Sequence, residues 1–411
     1  MKVLSINTAD TVGGAASVAS EIMDGVEKNY GVETLFIVSE KYSDKNNVFS
    51  SRGKMLWFAE KSFSRIASLV GLQYLKVPFS SENILKKAED FRPDIIHIHN
   101  FHGGYADYGL LGNLSDIAPI VWTFHDMFPF TGHCAYSFDC EKWKTGCGKC
   151  PGISIPPSLK FDTTSFLWRY KKKVLQSLNF KIIVPSKWLY DCVKDSFLSE
   201  KDMQLIYNGI DTVSFAGCEK NKARKKLSLP EDKKILLFNA NGGLKNPFKG
   251  GEYIYGVYEH FKKDENLLFI NVGGEKKECN CENWMDYGFV SDRQKMFELY
   301  SASDVFVFPT LAETFGLVVV EAMLCGLPAV AFKTGGVVEL VEHMKTGYLA
   351  EHRNLSDLIK GVDTVLNNES LTSEFSIKSI KKVEEIFSSV DMVKHYFDVY
   401  EELSKKSRRK K

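Results

Sequence analysis

At 411 residues the chain is too long for one hydrophobic core to keep growing, so two domains of roughly 200 residues are expected. With 44% hydrophobic residues, 26% charged residues and a formal net charge of +1, the composition is globular. It excludes a general polyanion binder, whose affinity rests on a pronounced basic excess, so no nucleic-acid partner is expected. No run of about 18 uninterrupted apolar residues marks a membrane span, and the opening MKVLSIN is broken by polar residues too soon for a signal peptide. A cytoplasmic protein is expected. Nine cysteines without an export signal favour free thiols or a metal site over a disulfide framework.

Along the chain, short apolar runs recur with helix-like patterns between them: VLSIN (3–7), TLFIVS (34–39), DIIHIHN (94–100), IVWTFHD (120–126) and KIIVPS (181–186). A second series follows: ILLFNA (235–240), NLLFINVGG (266–274), DVFVFPT (304–310) and AVAFK (329–333). Apolar runs without strict alternation are expected where helices cover both faces of a parallel sheet. Two doubly wound α/β domains result, residues 1–202 and 203–386, with the seam in the charged stretch SEKDMQ. Near the end, VDMVKHYFDVYEEL carries Met392, Val393, Tyr396, Phe397, Val399 and Tyr400 at helical spacing and must pack against something. The tail KKSRRKK (405–411) reads as a solvated charge run, with contact to an anionic membrane surface as the sharper alternative.

In an open α/β sheet, ligands sit beyond the carboxyl ends of the strands, so the residues leaving each strand carry the functional reading. The first run leads into TADTVGGAAS. There Gly13 and Gly14 let the backbone approach a ligand and open a helix whose N-terminus favours an anion; a bare turn at a helix start is the plainer alternative. The pattern is not G-x-G-x-x-G, which disfavours a nicotinamide enzyme. His97 and His99 alternate along one strand and share a face, and His97 reads as a satisfied core histidine. Phe124-His125-Asp126 places an imidazole and a carboxylate at the next strand end. Lys249-Gly250 stands at a helix start after the Gly242-Gly243 turn. A lysine beside free helix N–H groups can seat a diphosphate; a plain surface lysine is the alternative.

The segment Leu311 to Pro328 is more specific. A strand ends at Thr310, a loop carries Glu313 and Thr314, and a helix is predicted from Phe315 to Cys325, stopped by Gly326 with Pro328 beyond. Phe315, Gly316 and Leu317 would then offer backbone N–H groups to phosphate. Glu313, at the strand exit, is free to hold sugar hydroxyls. Glu321 is a lone charge in an apolar run, where an unsatisfied carboxylate costs several kcal/mol. It needs either an internal salt bridge or a ligand such as a ribose, whose vicinal hydroxyls a carboxylate can accept.

Cys134, Cys140, Cys147 and Cys150 form a C-x5-C-x6-C-x2-C cluster. Cys147-x-x-Cys150 suits two ligands of a tetrahedral zinc and the other two could complete a structural site; two disulfides or free thiols are the alternatives. Cys279-x-Cys281 is too short a spacing to persuade. Between Lys54 and Lys76, Trp57, Phe58, Phe63, Ile66, Leu69 and Val70 mix with Lys54, Lys61, Arg65 and Lys76. Such a stretch packs into a core or lies in a membrane interface, the latter implying a lipid-linked saccharide acceptor and peripheral association with the inner face of the plasma membrane.

Gly13-Gly14, His125, Lys249 and Glu313-x7-Glu321 together resemble the retaining glycosyltransferases of family 4. TFHDMFPFTGHCAYSFDCEKWKTGCGKCP (123–151) further resembles transferases of bacterial exopolysaccharide and colanic-acid assembly. The resemblance implies the GT-B fold: two Rossmann-like, doubly wound parallel-sheet domains facing across a cleft. The first would be the acceptor side, completed by a C-terminal helix (387–411) crossing back, and the second would bind the nucleotide sugar. It further implies that Glu313 contacts the donor sugar, Glu321 the nucleotide ribose, Lys249 the diphosphate and His125, beside Asp126, the region of the anomeric carbon. Gly13 and Gly14 would face the diphosphate and acceptor. The family usually places an arginine six residues before the phosphate lysine, where this chain has Gly243; Lys245 is the candidate substitute, although an ammonium lacks the guanidinium fork. The implied reaction is metal-independent transfer of a sugar to a hydroxyl with retention, needing no catalytic cofactor. A nucleotide-sugar 2-epimerase on the same architecture and a non-catalytic nucleotide-sugar-binding module are the alternatives; His125-Asp126 beside both glutamates speaks against the module.

Overall fold

A computed structural model describes residues 1–52, 67, 77–214, 218–276, 281 and 283–409. The basic amphipathic stretch 54–76 lies outside these residues apart from Ala67, as do Cys279 and the last two residues of the tail. The chain divides into two compact units, residues 1–207 with 390–411, and residues 208–389.

In the first unit the strands are β1 (Lys2–Ala9), β2 (Glu33–Glu40), β3 (Val48–Ser50), β4 (Ile95–Ile98), β5 (Ile120–Thr123), β6 (Phe180–Val184) and β7 (Met203–Leu205). Among the described residues they form a parallel sheet in the order β3-β2-β1-β4-β5-β6-β7. β1 pairs with β2 on one side and β4 on the other, Ile6 standing opposite both Ile37 and Ile98. Leu4, Ile6, Ile96, Ile98 and Trp122 are fully or almost fully buried, which accounts for runs that are apolar on both faces. The edge strands β3 and β7 were not among the expected strands, because three residues are too few to show a period. β7 also moves the seam: it completes the first sheet, so the unit runs to Tyr207 and not to 202.

The helix Gly14–Tyr30 buries Val18, Ala19, Ile22, Met23 and Val26, one face at three- and four-residue spacing. It ends at Gly31, whose left-handed φ of 63° lets its N–H reach back to the Glu27 carbonyl. The C-terminal helix Ser389–Arg408 returns to this unit. Its Met392, Val393, Tyr396, Val399 and Tyr400 are buried, and Phe397 stacks on Tyr30 at 3.9 Å between centroids.

In the second unit the strands are β8 (Lys234–Asn239), β9 (Leu267–Val272), β10 (Trp284–Gly288), β11 (Val305–Phe308), β12 (Ala329–Phe332) and β13 (Gly347–Ala350). They form a parallel sheet in the order β10-β9-β8-β11-β12-β13. β10 and β13 were not expected; WMDYG and GYLA are short and mix glycine, aromatic and small residues. Both sheets reverse strand order once, between β1 and β4 and between β8 and β11. The crevice at such a reversal is where open α/β sheets bind ligands.

Candidate active site

At the reversal in the second unit, two loops bring Lys249 and Glu313 together. Lys249 follows β8 and directly precedes Gly250, the N-cap of the helix Gly251–Phe261. Gly250 has a φ of 66°, and a Cβ there would meet the Pro309 carbonyl oxygen at 1.9 Å, so only glycine lets this turn lie against the end of β11. On the facing loop, a Cβ on Gly335 would meet the Glu313 carbonyl at 1.8 Å. Lys249 Nζ donates to Glu313 Oε2 at 2.5 Å, their side chains 18% and 13% exposed. Glu313 Oε1 accepts the Thr314 backbone N–H at 3.1 Å. The Thr314 hydroxyl is buried and finds no hydrogen-bond partner among the described residues.

Glu321 is satisfied by neither expected partner alone. The Tyr300 hydroxyl donates to its Oε2 at 3.0 Å, and Asn239 Nδ2, at the end of β8, donates to that hydroxyl at 2.8 Å. Burial raises the pKa of Glu321, against the positive charge of Arg293 and the Tyr300 hydrogen bond. The Tyr300 hydroxyl is pushed well above its ordinary range, chiefly by burial and then by the Glu321 charge. Arg293, whose charge acts on the carboxylate, is partly buried. Tyr300 and Asn239 were missed from sequence. The polar Asn closing the run ILLFNA was the available signal.

One expectation changes here. The helix begins at Leu317, not Phe315, because Gly316 adopts a left-handed φ of 104° as its N-cap, and it ends at Leu324. The free N–H groups therefore start at Leu317, while the Phe315 ring is buried against Phe387. Lys245, on the turn Gly243–Lys245, has a side chain 79% exposed that lies 3.9 Å from Glu275.

In the first unit, Gly13 caps the helix Gly14–Tyr30 with a φ of 96°. His97 is a satisfied core histidine: Nε2 meets the Thr123 hydroxyl at 2.8 Å and Nδ1 the Tyr400 hydroxyl at 2.7 Å. Burial lowers its pKa to about 3. His99 Nδ1 lies 3.0 Å from His125 Nε2, and the buried His99 Nε2 has no hydrogen-bond partner among the described residues. An orphaned buried N–H costs more than an orphaned lone pair, so His99 places its proton on Nδ1 and donates to His125. His125 then carries its own proton on Nδ1. Burial lowers the His125 pKa to about 4, against the nearby Asp126 charge, so the ring is neutral near pH 7. Asp126 is occupied otherwise: Oδ1 accepts the Phe128 backbone N–H at 2.8 Å, and His102 Nε2 donates to Oδ2 at 3.2 Å. It holds a loop and a second imidazole, His102, which sequence reasoning had missed.

Beyond β5 the cysteines gather, with one addition. His133 Nε2 and the Cys134 and Cys150 sulfurs lie within 4.8 Å of one another. Cys140 and Cys147 line the same small cavity. Burial pushes the thiols of Cys134 and Cys147 up to about 12 and about 11. The buried Lys171, held by the carbonyls of Phe128 and Thr131 at 2.7 and 3.0 Å, is pushed down to about 7 by the same cause.

Two parallel α/β units, each with polar groups where its strand order reverses, define the GT-B class. A solved structure of sucrose-phosphate synthase from Thermosynechococcus elongatus superposes with a TM-score of 0.72 at 16% identity, covering 98% of this chain and 99% of that one. HepE of Anabaena, in complex with UDP-glucose, gives 0.69 at 18% identity over 98% and 100%. A family model described as glycosyltransferase family 4 matches residues 12–214, and one described as glycosyl transferases group 1 matches 219–382. The chain belongs to this family of glycosyltransferases and is a transferase enzyme. Among its relatives is WcaC of Escherichia coli strain K12, whose name assigns it to colanic acid biosynthesis as a glycosyl transferase, 23% identical over 98% of this chain and 100% of WcaC. Another is an uncharacterized 41.2 kDa protein of the Klebsiella pneumoniae cps region, 24% identical over 95% and 99%.

Proposed function

We propose that the enzyme moves a sugar from a nucleotide-sugar donor to a hydroxyl of a saccharide, lipid-linked in the fullest form of the reading, during assembly of a cell-surface polysaccharide, with the anomeric configuration retained. The observation that carries it is the Lys249–Glu313 pair at the switch point of the second sheet, with the Glu321–Tyr300–Asn239 chain beside it. The wider likeness to colanic-acid and cps-region proteins and to a UDP-glucose-bound neighbour supports the polysaccharide and the donor class.

In this reading a bound donor exchanges its groups for those the pair now gives itself. Lys249 turns to the diphosphate, and Glu313 accepts sugar hydroxyls. Glu321, polarised by Tyr300, accepts the two ribose hydroxyls. Backbone N–H groups from Leu317 onward, with Gly316 as the turn that exposes them, face phosphate, as do Gly13 and Gly14 at their own helix start. The bond from the anomeric carbon to the phosphate oxygen breaks and a bond to the acceptor oxygen forms on the same face. The acceptor's proton passes to the departing phosphate oxygen. Lys249 stabilises the charge that accumulates there, the kind of preorganised electrostatic contribution that dominates such steps. His125, neutral and with Nδ1–H as donor, serves the region of the anomeric carbon, and Asp126 positions the loop that carries it. Bond making rests on the chain's own groups. For a zinc ion the cysteine-rich segment offers a structural place, apart from bond making.

Glu313→Ala and Lys249→Ala should each cut turnover by about 100-fold or more while the proteins stay folded. Unchanged kinetics in both variants overturn the assignment. Thermal shift across nucleotide sugars identifies the donor, since a ligand at about a hundred times its Kd stabilises by about 2.7 kcal/mol. A new sugar epimer formed without acceptor would instead indicate a 2-epimerase. A cytoplasmic location with peripheral contact to the inner membrane face belongs to the same reading and rests on the composition of 54–76 and the basic tail. Full-length protein that fails to sediment with anionic vesicles removes the membrane part.

A further inference from the structure

We infer that the segment after β5 holds a structural zinc ion on His133, Cys134, Cys147 and Cys150. This goes beyond the transfer reaction and stands or falls independently of it.

The Pro157 carbonyl, 2.9 Å from His133 Nδ1, can only accept, so Nδ1 carries the hydrogen and Nε2 presents its lone pair. An imidazole whose far N–H is tied to a backbone carbonyl is the usual arrangement of a metal-bound histidine. That lone pair faces Cys150 Sγ at 3.3 Å. Nitrogen and sulfur on neighbouring corners of a zinc tetrahedron stand about 3.5 Å apart, from Zn–N of about 2.0 Å and Zn–S of about 2.3 Å. The Cys134 sulfur completes a triangle, all three ligand atoms lying within 4.8 Å of one another.

Cys147 is the fourth donor. It shares the cavity with the other three, and its two-residue spacing to Cys150 is that of a zinc-binding turn. Gly146 and Gly148, with φ of 154° and 138°, shape that turn. The Gly132 N–H already donates to Cys147 Sγ at 3.2 Å, the bond that steadies a thiolate, and the Cys150 N–H is fastened to Asp162 at 2.7 Å. Cys140 and Cys147 both line this cavity outside the close group of three; the two-residue spacing to Cys150 and the Gly132 N–H on its sulfur select Cys147, so the all-cysteine set suggested by spacing becomes three sulfurs and one nitrogen.

Binding releases three thiol protons to solvent and forms three Zn–S bonds and one Zn–N bond, giving a site of net charge −1. The buried Lys171 amine, held by the Phe128 and Thr131 carbonyls, lies within electrostatic reach of Cys134 and Cys147, and thiolate charge there favours its ammonium form, which balances the site. With all four positions filled by protein, the ion has no open site for substrate and acts as a staple. It ties residues 133–150 together, in the segment that follows His125 and Asp126 along the chain.

The test uses full-length protein purified without chelator, with metal measured by mass spectrometry and free thiols counted in denaturant without reductant. One zinc per chain is expected, lost in His133→Ala and Cys150→Ser and kept in Cys140→Ser. Cobalt(II) exchanged into the wild type should give the intense visible absorption of a tetrahedral thiolate site. A wild type without zinc, its thiols paired as disulfides or simply free, overturns the inference. Zinc that survives His133→Ala but not Cys140→Ser overturns the ligand set. Should a variant fail to fold, the wild-type metal content and the cobalt spectrum still decide.

Discussion

Lys249 and Glu313 are 64 positions apart in sequence yet share one hydrogen bond, and each is nearly buried. A pair like this breaks even in water but leaves a costly orphan when one member is removed, so Glu313→Ala should also lower stability, by about 3 kcal/mol. Its effect on turnover must therefore be read at saturating donor on folded protein. Tyr300→Phe is the milder probe of the neighbouring carboxylate. It leaves Asn239 and Glu321 without their shared hydroxyl, and donor affinity should fall about tenfold, roughly 1.4 kcal/mol. Calorimetry showing unchanged affinity would remove Glu321 from the ribose site. His99→Phe tests the proton placement in the first unit: without the Nδ1 donor, His125 loses its fixed tautomer, and kcat should fall while donor KM holds. A fall in KM-dependent terms alone would make His99 merely a packing residue.

At the scale of elements, the site depends on loops that approach more closely than side chains allow. Gly250→Ala adds a Cβ that meets the Pro309 oxygen at 1.9 Å in a backbone of left-handed φ. The turn must shift, and the expected loss is about 2–4 kcal/mol, read from the denaturant midpoint. A midpoint within error of wild type would mean that the two loops do not lie so close. The helix Leu317–Leu324 illustrates the same dependence. Propensity places its start by apolar run, but Gly316, with a φ of 104°, is the cap, so the helix starts two residues past Phe315 and the cap decides which N–H groups are free.

Across the whole molecule, the C-terminal helix reaches back to the first sheet. Tyr400 bonds His97, and Tyr396 meets the Thr123 hydroxyl at 3.0 Å, in a fully buried network. His97 titrates at about 3 in the folded protein against about 6.5 when unfolded. Below pH 6.5 the unfolded chain binds a proton that the folded chain refuses, so stability falls as pH falls, by about 1.4 kcal/mol per unit, until about pH 3. His125, lowered to about 4, adds in the same direction, by less because its ring keeps some exposed surface. Circular dichroism should show the denaturant midpoint dropping steadily from pH 6.5 to pH 4.5. A flat midpoint over that window would mean that His97 is not buried uncharged.

The residues by themselves determined the class of fold and the class of enzyme. Apolar runs on a parallel-sheet pattern announced two doubly wound domains, and Glu313-x7-Glu321, Lys249 and His125 stood out as candidates because polar groups at strand exits need a reason. What they could not determine was partnership. Tyr300 and Asn239 beside Glu321, His99 behind His125, His102 on Asp126 and His133 among the cysteines are all contacts between segments, and in isolation each reads as an ordinary residue. Short edge strands and the exact caps were likewise set by tertiary context: three-residue strands exist only because a neighbour supplies their hydrogen bonds, and a glycine at positive φ is chosen by the backbone that crowds it. Local pattern encodes which surfaces must be buried, and only the folded chain decides which groups then meet.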